Sequence, residues 1–90
     1  MFAVVVRTEL SEGAATEQAR QTLETQVIPM LERSPGFHAG FWLAPPAGHD
    51  GLSLLIYEDE QSARAVAGAM HSRPLAKLVS VEVREVMATA

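Results

Sequence analysis

Hydrophobic residues along the chain recur at two spacings, and the switches between them lay out six elements. Residues 2 to 10 alternate at the period of a strand, with Phe2, Val4, Val6 and Leu10 on one side and Ala3 and Val5 on the other. Both sides begin apolar, so both faces of this strand need cover. From Ala14 to Arg33 the spacing changes to three and four residues, through Ala15, Ala19, Leu23, Val27, Met30 and Leu31. That is the apolar stripe of a helix packed on a sheet. Ser11 suits the N-cap, because a serine hydroxyl accepts a hydrogen bond from a free amide of the first turn. Pro29 falls inside the pattern and has no amide to donate, which predicts a kinked or loosened end to the helix before "SPG" at 34 to 36 closes it.

Alternation resumes at residues 37 to 44, with Phe37, Ala39, Phe41 and Leu43 set against His38, Gly40, Trp42 and Ala44. On an even strand His38 and Trp42 share a face, roughly 13 Å apart along it. The run "PPAGHDG" at 45 to 51 is turn chemistry. Leu52 to Glu58 then returns as the second strand of a hairpin, with Leu54 and Ile56 on one face and Leu55 and Tyr57 on the other. Asp59 is placed to cap a helix over 60 to 72, whose stripe is Ala63, Val66, Ala67 and Met70, and "SRP" ends it. The last strand, 79 to 87, sets Val79, Val81, Val83, Glu85 and Met87 against Ser80, Glu82, Arg84 and Val86.

The order β-α-β-β-α-β predicts an α+β, ferredoxin-like fold, a four-stranded antiparallel sheet with both helices on one face. The other face keeps apolar residues on the first and third strands. Leaving it in water would cost roughly 25 cal/mol per Å². A second copy packed sheet to sheet removes that cost, so the expectation is a homodimer.

Bulk properties narrow the partners. Ninety residues without an internal linker make one domain with a limited core, 1–90. Cysteine is absent, which removes disulfides and thiolate metal sites and fits a reducing compartment. The net charge is −4 and the basic residues are scattered, so no electrostatic footprint for nucleic acid is present. The opening "MFAVVVRTEL" meets Arg7 and Glu9 before a signal-peptide core or a membrane span is complete. A cytoplasmic protein without nucleic-acid or membrane partners is expected.

Two stretches, "PGFHAGFWL" after the first helix and "LLIYEDEQSARAVA" from the third strand into the second helix, resemble the antibiotic biosynthesis monooxygenase-like family of the dimeric α+β barrel superfamily. The resemblance covers almost the whole chain and is best at Pro35, Gly36 and Phe37 and over Tyr57 to Ala63. It implies a pocket between sheet and helices in each subunit. Some members oxidise quinol-like aromatics there with dioxygen and no cofactor, some degrade haem, and many have no known activity. Known oxygenases of the family commonly use an asparagine in the pocket, and this chain has none. In haem-degrading members a histidine near the end of the second helix ligates iron, a position only His71 can match, while the tryptophan they carry on that helix has no counterpart in residues 60 to 72.

Candidate chemistry rests on five residues. His38 is a candidate general base, since an ordinary imidazole pKa of about 6.5 suits proton transfer at neutral pH. Tyr57 is the candidate proton donor, to a substrate or to a buried acceptor. Trp42 is a candidate stacking surface for an aromatic ligand, or else an anchor of the core or of a subunit interface. Arg84 is a candidate partner for an anion or carbonyl, unless it serves exposed ion pairs with Glu82 and Glu85 worth about 0–1 kcal/mol. His71 is a candidate ligand-binding residue whose simpler role is to interact, protonated, with the negative end of a helix dipole. His49 and Asp50 are too few for a metal site, which needs about three or four converging ligands, so neither metal nor cofactor is expected. No phosphate loop, nucleophile elbow or paired catalytic carboxylates occur. The expected function is binding of an aromatic or quinol-like small molecule, with cofactor-free oxygenation or isomerisation if the chain is an enzyme. The alternatives are a non-catalytic binding or assembly module and, third, haem binding through His71.

Overall fold

Hydrogen bonding joins four antiparallel strands in the order β2-β3-β1-β4. The computed structural model describes residues 1–9, 17–44, 50–72 and 77–90. Along the chain these form β1 (Phe2–Glu9), α1 (Glu17–Thr22), a π-helical turn (Leu23–Val27), α2 (Ile28–Glu32), β2 (Phe37–Leu43), β3 (Asp50–Tyr57), α3 (Glu60–Ser72) and β4 (Lys77–Glu85). Leu10, the Ser11 cap and the start of the first helical stripe lie outside the described residues, as does "PPAGH". No helix among the described residues is long and apolar enough to cross a membrane.

The most apolar strands, β1 and β3, take the centre of the sheet. Their register sets Val4 opposite Leu55 and Phe2 opposite Tyr57, so these side chains share the face that the helices cover. Val4, Leu55 and Tyr57 have no exposed surface at all, and Val6, Leu31, Ala63 and Ala67 complete the core. Full burial of a side chain such as Leu55 is worth about 1.5–3 kcal/mol over exposure. The stripe of α3 presents small residues, Ala63 and Ala67, where it meets the sheet, which lets helix and sheet approach closely.

Even alternation fails in two strands, each time by one extra residue. In β2 Phe37 lies opposite Tyr57 and Ala39 opposite Ile56, leaving His38 as the bulged residue. Phe37 is therefore on the helix side with Gly40 and Trp42, not with Ala39 and Phe41 as strict alternation expects. In β4 Ser80 lies opposite Arg7 and Leu78 opposite Thr8, so Val79 is the extra residue. Val79 is 61% exposed, whereas Val81 and Val83 pack on the core. The strand ends at Glu85, and Met87, expected within it, lies beyond.

The first helical arm is interrupted where Pro29 predicts trouble, and the interruption is a widened turn. Proline at position 29 has no amide for the carbonyl four residues back, and its ring crowds that carbonyl. The Ile28 amide instead reaches the Leu23 carbonyl, five residues back. Thr22 and Thr25 hydroxyls bond the carbonyls of Gln18 and Gln21 at 3.1 and 2.7 Å, as mid-helix threonines do. α1 buries none of its residues, and the arm is held chiefly at its far end by Leu31.

Candidate functional site

The two stretches that carry the family resemblance meet in space. After α2 the chain turns through Gly36, whose φ of +77° favours glycine. The Gly36 carbonyl accepts from the Glu58 amide at 2.9 Å, tying this turn to the end of β3. A Cβ at Gly36 would lie 2.8 Å from Ser62 Oγ, so glycine also makes room for the start of α3. There Asp59 Oδ1 accepts from the Ser62 amide at 2.8 Å and Oδ2 from the Ser62 hydroxyl at 3.1 Å, which caps the helix.

Tyr57 points from the end of β3 into the core beneath this turn. Its hydroxyl is 2.8 Å from Ser34 Oγ, and the Ser34 hydroxyl donates to the Leu31 carbonyl at 2.6 Å. A serine hydroxyl has one proton, so Tyr57 must be the donor to Ser34. Burial pushes the Tyr57 phenol above its ordinary pKa. The ring also meets Phe37 edge to face, with centroids 5.6 Å apart at 74°.

Trp42 lies on the same helix-facing side, opposite Ser53, and packs against the core while remaining half-buried. The far edge of its indole reaches back along β2 over Gly40. A Cβ there would be 2.7 Å from Trp42 Cη2 and 3.3 Å from Leu55 Cδ2. Glycine inside a strand marks such a close approach, and it is the signal by which Gly40 belongs to the site.

The remaining candidates lie elsewhere. His38 is exposed in the β2 bulge, and the bulge breaks the alternation that would align it with Trp42. His71 is exposed in the last turn of α3, which packs on β4, β1 and β3 rather than on β2. α3 carries no aromatic side chain beside it. Arg84 lies opposite Ala3 on the sheet face away from the helices, and its Nη2 donates to Glu82 Oε2 at 3.0 Å. The sheet thus separates Trp42 and Tyr57 from Arg84. Ser34, Phe37 and Gly40 join the first pair instead.

No protein-family profile and no curated protein matches the chain. Solved structures do. A monooxygenase from the ActVA-Orf6 gene of Streptomyces coelicolor, in complex with nanaomycin D, aligns over 99% of this chain and 89% of its own with a TM-score of 0.68 and 17% identity. A MhuD variant with two manganese protoporphyrin IX bound per active site aligns over 100% of this chain and 98% of its own, with a TM-score of 0.68 and 20% identity. A protein of unknown function from Nitrosomonas europaea aligns over 99% and 91%, with a TM-score of 0.61 and 23% identity. At these identities the likeness is one of fold. The chain has the ferredoxin-like α+β fold of the antibiotic biosynthesis monooxygenase-like proteins.

Proposed function

We propose that the chain is a homodimeric, cytoplasmic small-molecule-binding protein that takes a flat aromatic or quinol-like molecule against Trp42 on the helix side of its sheet. The observation that carries this is the indole itself, seated over Gly40 and against the core yet only half-buried. A rigid aromatic face left partly open beside an apolar wall is what a flat ligand stacks on. Proteins of the same fold hold nanaomycin D and manganese protoporphyrin IX, which supports a small organic ligand.

Dimerisation is supported by the sheet's other face. Ala3, Val5, Leu52, Leu54 and Ile56 lie there, and Phe41 and Leu43 beside them are 54% and 48% exposed. A contiguous apolar surface of this kind is ordinarily covered by another chain. Trp42 faces the helices, so this interface does not need it.

Turnover is the second reading, a cofactor-free oxygenation or isomerisation in which His38 or Tyr57 moves the proton. The Tyr57 proton is already given to Ser34, and His38 sits in an exposed bulge, so binding has the firmer support. Haem binding through His71 is the third. Titration with 1,4-naphthohydroquinone under argon tests the first reading, because Trp42 is the only tryptophan and reports directly. Saturable quenching is expected in wild type, and calorimetry, which needs no tryptophan, should find the binding kept in Trp42→Phe and lost in Trp42→Ala. Failure to saturate would refute the reading. Consumption of the quinol on admitting air, lost in His38→Ala, would favour turnover, and a Soret shift on adding haem, lost in His71→Ala, would favour the third.

A further inference from the structure

A second site lies on the opposite face of the sheet and does not rest on the reading of Trp42. Where β2, β3, β1 and β4 reach the same end, a depression of about 340 Å³ is lined by Arg7, Thr8, Leu43, Leu52 and Val79. The β4 bulge creates part of its wall, because it takes Val79 off the core side and leaves it exposed. Leu52 and Ser80 are the cross-strand neighbours of Arg7. Among the described residues Arg7 makes no ion pair. Glu82, a carboxylate of the same face, is already held by Arg84 at 3.0 Å.

We infer that this depression binds a small monoanion with an apolar body, a medium-chain or aromatic carboxylate, with Arg7 holding the carboxylate and Leu43, Leu52 and Val79 the apolar part. The volume is in the range of small-molecule pockets, about 300–1,000 Å³, and too small for a helix. The charge fixes the sign of the ligand. A guanidinium set among leucine and valine side chains is matched by a planar carboxylate, which accepts two parallel hydrogen bonds from it.

Octanoate and octan-1-ol, titrated into the full chain and followed by calorimetry and by backbone amide shifts, test the inference. Octanoate is expected to shift Leu43, Leu52 and Val79, to weaken with added salt, and to bind about tenfold or more weakly to Arg7→Gln. Arg7→Lys should retain part of the affinity, and octan-1-ol should not distinguish the variants. Arg7 is exposed, so its replacement leaves the fold intact, as circular dichroism will confirm. Equal octanoate affinity in wild type and Arg7→Gln, no binding at all, or shifts confined to the Trp42 side would overturn the inference. So would a dimer that Glu82→Gln and Arg7→Gln each dissociate, since a second copy's carboxylate would then hold Arg7.

Discussion

The Tyr57 hydroxyl lies 2.8 Å from Ser34 Oγ, and Ser34 passes the bond on to the Leu31 carbonyl at 2.6 Å. One short chain of hydroxyls thus fastens the end of β3 to the turn after α2 and to the last turn of the helical arm. Its two ends are unequal. Tyr57→Phe removes the donor and leaves Ser34 still bonded to Leu31, at an expected cost of about 0.5–1.5 kcal/mol. Ser34→Ala strands a buried phenol hydroxyl and should cost more, about 1–3 kcal/mol. Urea unfolding of both variants checks the order, and a Tyr57→Phe loss as large as that of Ser34→Ala would contradict it.

The same burial sets a pH dependence. The folded phenol titrates above its ordinary value of 10.0, so between that pH and the folded pKa the unfolded chain releases a proton that the folded chain keeps. Stability from this group is complete below about pH 10 and falls as pH rises through the folded pKa. Tyr57 is the only tyrosine, so tyrosinate absorbance reads it alone. Absorbance should rise later in the folded than in the urea-unfolded protein, and Tyr57→Phe should flatten the alkaline loss of stability relative to wild type.

Gly40 governs the seat of Trp42. A methyl group there would sit 2.7 Å from the indole, so Gly40→Ala must swing the ring or shift the strand. Overpacking of this kind costs about 1–3 kcal/mol. Emission from Trp42 should move to the red as the ring turns to water, and quinol affinity should drop with it. An unchanged spectrum would mean that the indole does not rest on Gly40.

Gly36 joins backbone and packing in one residue. Gly36→Ala meets both a positive φ and the Ser62 hydroxyl that Asp59 holds. A loss of about 1–2 kcal/mol from the backbone alone is expected. Asp59→Ala, which removes only the cap, should cost about 0.5–2 kcal/mol. Because both act on one junction, the double variant should lose less than the sum of the two, which thermal unfolding can measure.

The element order was legible because strand and helix periods differ and the chain switches between them cleanly. Asp59 was legible as a cap, and Pro29 as a disturbance, although the π turn that accommodates it was not. The two bulges were hidden for a physical reason. One extra residue is a property of register against a neighbouring strand, and alternation within β2 or β4 contains no trace of the neighbour. That is why Phe37 and Val79 changed faces and why His38 parted from Trp42. The Ser34–Tyr57 bond spans 23 residues and depends on tertiary packing, so only its buried end could be anticipated.

Trp42 for a ligand and the open face for a second copy are separate assignments, and native mass spectrometry of Trp42→Ala tests the separation most directly. A folded dimer, at the same protein concentration as wild type, that has lost quinol binding is expected. A variant that appears as monomer, with wild type a dimer, would place Trp42 in the subunit contact and contradict the assignment of the two faces.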